Sequence, residues 1–295
     1  VRPAPAGTGG KTAPGPEKKT DRKEHRQMDY SKIALFSDLD GTLFDDSTQV
    51  QKRNLEALRR FTEAGGLFCV STGRTPDNAA QYLQETPING PSIFYNGAAA
   101  YSIAEKRYVL THSLDSAALS PLLKKLLAEQ PAINIQVYNT EAICFVSPRE
   151  LADEWFVSQH QPCVFRSLEE VRDPWLKILL EGTPEQLRGI EELVNEAARG
   201  VASVVYSSPQ YLELLPLGVS KGSTLRELTA RPDFQGRILA AIGDYNNDVE
   251  LLRAADVSAA PSSALPVVRE AAGYVVCSNN DGAVADFIEK IFPTL

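Results

Sequence analysis

The chain has 295 residues, and its 43% hydrophobic content is enough for a packed core in one large domain or two smaller ones. Every apolar run is much shorter than the roughly 20 residues that cross a bilayer, so we expect a soluble protein without a membrane partner. The net charge is −8. Residues 1–27 carry +4, so the remainder carries −12, which argues against nucleic acid as the main partner.

The cysteines and histidines are dispersed and show no metal-binding spacing. We interpret the cysteines as reduced thiols of a cytoplasmic protein, and we assign no catalytic role to the histidines. These residues are Cys69, Cys144, Cys163, Cys277, His25, His112 and His160.

Residues 1–27 are rich in Pro, Gly and Lys and contain no apolar segment, which predicts a disordered extension. They include no signal-peptide core, and their acidic residues argue against a transit peptide. Met28 is the sole methionine and directly precedes the first predicted strand. We therefore expect natural translation to start at Met28, with a basic interaction tail as the alternative interpretation of the extension.

The first part of the remaining chain alternates between apolar runs and helical patterns. Such alternation predicts parallel strands joined by right-handed helical crossovers. The predicted elements are strand 33–38, a helix over 50–61 that stops before Gly65, strand 67–73, helix 76–85 and strand 92–97.

The same alternation returns near the C-terminus, with strands at 237–244, 257–261 and 274–278 and helices at 247–255, 264–272 and 283–292. Together the two parts predict an α/β fold, with a Rossmann-like, doubly wound parallel sheet as its core.

The middle of the chain differs, because two of its predicted strands, 133–139 and 142–147, follow each other directly and therefore favour antiparallel pairing. Further strands are predicted at 108–114, 176–182, 202–208 and 211–216, and helices near 116–129, 148–160 and 184–199. We predict a doubly wound core of residues 28–101 and 216–295 and an inserted α/β module of residues 102–215.

Acidic residues follow two of the predicted parallel strands. Asp38 and Asp40 end the first strand, and Asp244 ends the strand at 237–244. Ligands bind at the carboxyl ends of such strands, and carboxylates suit Mg²⁺. A carboxylate beside Mg²⁺ can attack phosphorus to give an aspartyl-phosphate, while a second acid moves the proton. The alternative is an Asx turn after the strand.

Other polar residues are predicted to join these acids. Thr72 and Gly73 offer a hydroxyl and an unhindered N–H to a phosphate, although Thr72 or Thr75 could instead cap a helix. Lys221 opens a helix, where a cation opposes the helix dipole unless an anion binds there. Two further residues, Asn247 and Asp248, lie at a strand-to-helix turn. Asn247 could donate to a phosphate or orient a water, and Asp248 could hold Lys221 or a water. The alternative for both residues is a helix N-cap.

With these residues assembled, the sequence resembles the haloacid dehalogenase superfamily, and within it the Cof-type phosphatases with a C2-type cap of subtype B. The resemblance rests on five motifs in order: DLDGTL at 38–43, STGR at 71–74, YNGA at 95–98, LPLGVSKG at 215–222 and GDYNND at 243–248. It implies an α/β cap domain over 102–215 and hydrolysis of phosphomonoesters of small metabolites such as sugar phosphates, with Mg²⁺ as cofactor.

The resemblance also assigns roles. It implies that Asp38 is the nucleophile and Asp40 the general acid and base, and that Asp38, the carbonyl of Asp40 and Asp244 hold Mg²⁺. Phosphate binding is implied for the backbone around Leu39 and for Thr72, Gly73, Lys221 and Asn247. Supporting positions near the cleft are implied for Arg74, Asn96 and Asp248.

One departure is visible, because many relatives have a Gly-Asn-Ala turn where this chain has residues 260–264, APSSA. Two alternatives stay open. A phosphosugar mutase would pass the phosphoryl group to a second hydroxyl, and a non-catalytic regulator would only bind a phosphometabolite. The sequence leaves the substrate open and is compatible with a monomer or a homodimer.

Overall fold

The structure is a computed structural model that describes residues 28–159 and 162–295. The predicted disordered extension, residues 1–27, lies outside the described residues. The strands are β1 Ile33–Ser37, β2 Leu67–Val70, β3 Ser92–Phe94, β4 Ala99–Ser102, β5 Arg107–Thr111, β6 Asn134–Asn139, β7 Ile143–Phe145, β8 Cys163–Phe165, β9 Trp175–Glu181, β10 Ala202–Ser208, β11 Tyr211–Pro216, β12 Ile238–Ile242, β13 Val257–Pro261 and β14 Tyr274–Val276. The helices are α1 Lys52–Glu63, α2 Pro76–Tyr82, α3 Ser116–Glu129, α4 Glu154–Gln159, α5 Pro184–Ala198, α6 Lys221–Leu228, α7 Val249–Ala254, α8 Pro266–Ala271 and α9 Ala283–Lys290.

The core is a parallel sheet in the order β14-β13-β12-β1-β2, which confirms the predicted α/β core. Both faces of β1 are buried. Ile33 and Leu35 pack on the side of α1 and α9, while Ala34 and Phe36 pack on the side of α6, α7 and α8. Successive side chains of a strand point to opposite faces, so a strand covered by helices on both faces has to be apolar throughout. The continuous apolar run of β1 is the sequence signal of this arrangement.

A second, three-stranded sheet continues from the edge of the core sheet, in the order β3-β4-β5. Strand β3 meets the end of β2 through one parallel bridge, Ser71 to Ile93, but its ladder is antiparallel and runs to β4. Strand β3 is therefore parallel to β2, as predicted, but it shares one bridge with β2 and forms its ladder with β4. Strand β4 was missed because its sequence, AAYS, is short and contains no β-branched residue.

A third, six-stranded sheet has the order β10-β11-β9-β6-β7-β8. The predicted antiparallel pairing of β6 with β7 is confirmed, and the short strand β8, which was missed, pairs parallel to β7. Helices α3 and α5 cover one face of this sheet. Its other face contributes Tyr138, Phe145 and Leu179 to the hydrophobic cluster that includes α1 and α9 of the core.

The six-stranded sheet thus lies over the core sheet. The division into a core of residues 28–101 and 216–295 and a cap of residues 102–215 stays a prediction. Strand β5 falls within the predicted cap but pairs with β4, beside the core. This pairing would move the first residue of the cap beyond Thr111. Among the described residues, no helix is long and apolar enough to span a membrane.

Candidate active site

Asp38 lies at the carboxyl end of the central strand β1. It is 6% exposed, and its N–H donates to Ile242 O at 2.9 Å, which aligns it with the end of β12. The chain then closes a single turn over Leu39–Leu43. Gly41 has φ +76° in this turn, and a Cβ there would overlap the carboxylate of Asp244. The turn therefore requires glycine for two reasons, its backbone conformation and the close approach of Asp244.

The turn sends the two acids of the DLD sequence into different environments. Asp38 is buried, whereas the Asp40 side chain is 55% exposed at the mouth of the cleft. Leu39 between them is fully buried. The two carboxylates are therefore held apart, and they do not share one binding position.

Lys221 is the direct partner of Asp38. It is the first residue of α6 and is only 1% exposed, and its Nζ lies 2.7 Å from Asp38 Oδ1 and 2.6 Å from Asp248 Oδ1. Ser220 caps the helix by accepting from Ser223 N–H. The two carboxylates explain why a cation is found in the first turn of this helix, since their charges outweigh the unfavourable helix dipole.

Asp248 organises the turn that follows β12. Its Oδ1 accepts from Lys221, and its Oδ2 accepts from the N–H groups of Asp244 and Tyr245, both at 3.1 Å. Both oxygens are thus engaged within the protein. Asp248 orients Lys221 and the Asp244 backbone.

Three carboxylates of the site form a negatively charged cluster that is suited to a cation. Oxygens of Asp38, Asp244 and Asp248 lie within 4.8 Å of one another. Burial raises the pKa of Asp38 well above its usual value, against the effect of Lys221. Burial, with the charge of Asp248, raises the pKa of Asp244 to about 6. Three carboxylates with one ammonium leave excess negative charge, which a divalent cation would neutralise.

Asp38 and Asp244 fit such a cation, because each is a hard oxygen donor. Thr42, which sequence reasoning missed, supports Asp244 by donating from its hydroxyl to Oδ1 at 2.9 Å. Since Asp248 already uses both oxygens inside the protein, we regard Asp38 and Asp244 as the side chains that would hold the ion.

Arg74 binds Asp40 through two parallel hydrogen bonds, Nε to Oδ2 at 2.8 Å and Nη2 to Oδ1 at 2.6 Å. Its third nitrogen donates to Asn78 Oδ1 at 2.6 Å. The guanidinium also lies over the ring of Tyr82, 4.8 Å from its centroid. This bidentate geometry fixes the rotamer of Asp40. This pairing could not be predicted from the sequence.

Thr72 and Gly73 follow β2 and line the same cleft. Thr75 is the residue that caps α2, by accepting from Asn78 N–H at 3.1 Å, so Thr72 is not a helix cap. Thr72 Oγ1 instead accepts from Arg74 N–H at 3.2 Å. A Cβ on Gly73 would approach Asn96 Oδ1 to 2.9 Å, so this position has little room for a side chain.

Asn96 and Asn247 contact each other directly. Asn247 Nδ2 donates to Asn96 Oδ1 at 2.9 Å, and Asn96 Nδ2 donates to Glu213 Oε2 at 2.7 Å. Asn96 has φ +55° and follows Tyr95 at φ +52°, so two successive non-glycine residues adopt the left-handed conformation. Asparagine tolerates this region better than most residues.

Two residues of the six-stranded sheet, Lys177 on β9 and Glu213 on β11, also belong to the site, and sequence reasoning missed them. Each is a charged residue with apolar neighbours on both sides within a strand, WLKILLE and YLELLP, which is the signal that could have revealed them. They lie 3.2 Å apart and line the cleft together with Asp38, Arg74 and Asn96. The cleft has a volume of about 760 Å³.

Comparison with known proteins agrees with this geometry. Residues 35–288 match the haloacid dehalogenase-like hydrolase family. A Bacillus subtilis protein named "Putative phosphatase YxeH" is 27% identical, over 89% of this chain and 98% of that protein. The 5-amino-6-(5-phospho-D-ribitylamino)uracil phosphatase YitU of the same organism is 23% identical, over 90% of this chain and 99% of YitU.

Solved structures show the same fold. A haloacid dehalogenase-like hydrolase from Bacteroides thetaiotaomicron superposes with a TM-score of 0.76 at 26% identity, covering 88% of this chain and 99% of that one. Because the family match spans most of the sequence and the relatives are aligned over nearly their whole lengths, this chain belongs to the haloacid dehalogenase-like hydrolases, as a Cof-type phosphatase.

Proposed function

We propose that this phosphatase is a Mg²⁺-dependent phosphomonoesterase that works through an aspartyl-phosphate on Asp38. The observation that carries the proposal is the environment of Asp38: a buried carboxylate at a strand end, with Lys221 at 2.7 Å and Asp244 in the same cluster. Burial and one cation restrict Asp38 to a single position, as a nucleophile requires.

In the first step, a carboxylate oxygen of Asp38 attacks phosphorus, and the bond to the leaving oxygen breaks in line. Asp40 gives its proton to that oxygen, which departs as an alcohol. In the second step, water attacks the phosphorus of the aspartyl-phosphate while Asp40 takes its proton. Inorganic phosphate leaves, and the Asp38 carboxylate is restored.

Asp40 cannot keep both Arg74 hydrogen bonds during this cycle. Its two oxygens are both engaged by the guanidinium in this structure. Proton transfer needs one oxygen at the leaving group, so the bidentate pair must open on that side when substrate binds. Arg74 would then hold Asp40 through the other oxygen, which keeps the acid close to the phosphoryl group.

The phosphoryl group would be bound by Lys221, Thr72, Asn247 and the backbone at Leu39 and Gly73. Asp38 and Asp244, with the Asp40 carbonyl, would hold Mg²⁺, which when bound neutralises charge on the phosphoryl oxygens. The cation would also offset the repulsion among the buried carboxylates, whose raised pKa values reflect their burial.

We propose small phosphorylated metabolites, sugar phosphates or similar compounds, as substrates. The cleft volume of about 760 Å³ is in the range of small-molecule sites. YitU, by its name, acts on a phosphoribityl compound, which is a sugar-alcohol phosphate. The net charge of −12 after residue 27 argues against nucleic acid as a partner.

The test is phosphate release by the purified chain from a panel of sugar phosphates, nucleotides and pyridoxal phosphate, with Mg²⁺ and with EDTA. We expect release with Mg²⁺ only, and none from the Asp38→Asn protein. An isomerised sugar phosphate without net phosphate release would identify a mutase instead. Tight binding of a phosphometabolite without turnover would identify a non-catalytic regulator.

A further inference from the structure

The buried pair Lys177–Glu213 connects the six-stranded sheet to both phosphate-binding loops of the core. The two residues are 4% and 3% exposed. Lys177 Nζ donates to Glu213 Oε1 at 3.2 Å and to Gly73 O at 3.3 Å. Glu213 Oε2 accepts from Asn96 at 2.7 Å, and Asn96 contacts Asn247. The pair therefore reaches Gly73 on one side and Asn247 on the other.

Glu213 determines which groups donate and which accept in this series of hydrogen bonds. An ionised carboxylate can only accept hydrogen bonds, so Asn96 must turn its Nδ2 toward Glu213. Its Oδ1 is then the atom that faces Asn247, so Asn247 must present its own Nδ2. Glu213 thus decides which end of the Asn247 amide points in which direction, although the two residues do not contact each other.

Asn96, which lies between Glu213 and Asn247, is held in place by further contacts. Its N–H donates to Thr72 O at 3.1 Å, and its amide lies against Gly73. The next residue, Gly97, packs so closely that a Cβ would overlap Ser220 O, beside Lys221. The left-handed turn at Asn96 is therefore held between the loops that carry Thr72 and Lys221.

Stability alone does not account for the pair. Burying a lysine and a glutamate is costly, and an apolar pair of similar size often gives equal or greater stability. Lys177 lies over the Tyr138 ring at 4.5 Å, and Glu213 also accepts from the Ser207 hydroxyl at 2.7 Å. Both charged groups have hydrogen-bond partners, and each makes one contact with the core, Lys177 with Gly73 and Glu213 with Asn96.

We propose that Glu213, together with Lys177, is a positioning residue that orients the phosphate-binding groups Asn247 and Gly73 when the six-stranded sheet rests on the core. The inference rests on the proposed function, because it takes Asn247 and Gly73 to bind the phosphoryl group. Phosphate affinity then depends on contact between the sheet and the core, through Asn96.

The decisive variant is Glu213→Gln, which keeps the size of the side chain. Its single oxygen stays with Lys177 and Ser207, so its NH₂ group faces Asn96. Asn96 must then rotate its amide to accept, and Asn247 must rotate in turn. The substitution therefore exchanges donor and acceptor at Asn247.

Glu181→Gln is the matched control. Glu181 is on β9 of the same sheet and accepts from two amides, Asn134 at 2.9 Å and Gln136 at 3.1 Å, but neither amide contacts a phosphate-binding loop. We expect Glu213→Gln to raise the Kd for inorganic phosphate, measured by calorimetry, about tenfold, and to lower kcat/KM for p-nitrophenyl phosphate similarly. Glu181→Gln should change both by less than about twofold.

A double-mutant cycle separates positioning from a merely structural effect. Asn96→Gly suits the left-handed backbone and removes the amide. In that background, Glu213→Gln should weaken phosphate binding by less than about twofold, because the connection to Asn247 is already lost. Additive effects, or equal effects of Glu213→Gln and Glu181→Gln, would overturn the inference while leaving the proposed function intact. A wild-type chain that neither bound phosphate nor hydrolysed its esters would overturn both.

Discussion

Lys221 Nζ lies 2.7 Å from Asp38 Oδ1, although 183 residues separate the two in the sequence. Lys221 also contacts Asp248 at 2.6 Å, and all three groups are buried. One ammonium thus holds two carboxylates in one arrangement, Asp38 from the end of β1 and Asp248 from the turn that follows β12. This contact joins the first and fourth of the five sequence motifs.

Lys221→Met should destabilise the fold. The substitution leaves Asp38 and Asp248 buried without a counter-ion, which costs about 3–5 kcal/mol. Lys290→Met is the control, because Lys290 is 66% exposed beside Asp286 and should contribute less than about 1 kcal/mol. Urea unfolding of the two variants measures the difference. If Lys221→Met and Lys290→Met had equal free energies of unfolding, the contacts of Lys221 with Asp38 and Asp248 would not be important for stability.

Asp38→Asn should abolish phosphate release, with a loss of at least about 10³-fold in kcat, because an amide is a far weaker nucleophile than a carboxylate. Acid-quenched wild-type protein should carry a phosphate on residue 38, detectable by mass spectrometry of its peptides. Asp233→Asn, at an exposed position, should behave as wild type. A phosphorylated peptide that did not contain residue 38 would contradict the assignment.

Asp40→Asn should separate the two chemical steps. p-Nitrophenolate leaves readily without a proton, so Asp38 can still be phosphorylated, whereas activation of water needs the Asp40 carboxylate. We expect a rapid burst of about one nitrophenolate per chain followed by slow turnover, seen in stopped-flow absorbance. Steady turnover at the wild-type rate, without a burst, would exclude Asp40 as the base.

Mg²⁺ should raise the melting temperature of the wild-type chain, because a ligand that binds only the folded state stabilises it. The increase should be lost in Asp244→Asn, which removes one of the two side chains assigned to the ion. Asp46→Asn should keep it, since Asp46 lies among Asn279 and Asn280, away from this cluster. EDTA should reverse both the thermal shift and the activity. A shift of equal size in Asp244→Asn would place the ion elsewhere.

Asp286 should stabilise the junction of α1 and α9 in a pH-dependent manner. Burial raises its pKa, but hydrogen bonds from Lys290, the Cys277 N–H and Arg53 together lower it below its usual value of 3.8. A carboxyl group whose pKa is lower in the folded state stabilises the protein above its unfolded pKa, and this contribution disappears as pH falls through the folded-state pKa.

Asp286→Asn should therefore be less stable than wild type at pH 7, and the difference should shrink below about pH 4. Urea unfolding at several pH values measures it, with the exposed Asp233→Asn variant as control. A difference that stays constant across this range would mean that Asp286 acts through packing and not through its charge.

The fold of the core could be predicted because its signals are local. Strand β1 is apolar throughout because both of its faces are covered, and Thr75 marks the start of α2 by capping it. The antiparallel pairing of β6 with β7 was also predictable, because the strands at 133–139 and 142–147 follow each other too closely for parallel pairing. The pairing of β5 with β4, beside the core, could not be predicted, because the sequence of a strand does not reveal its pairing partner.

Most of the charged residues of the site could be identified from the sequence: the acids Asp38, Asp40 and Asp244 at strand ends, and a lysine at the start of a helix. Which of these charges meet became clear in the folded chain. It paired Lys221 with Asp38 and Asp248, Arg74 with Asp40, and Lys177 with Glu213. The physical reason is that propensity and apolar periodicity act over a few residues, whereas a buried charge finds its partner through space, wherever the packing of the sheets places it.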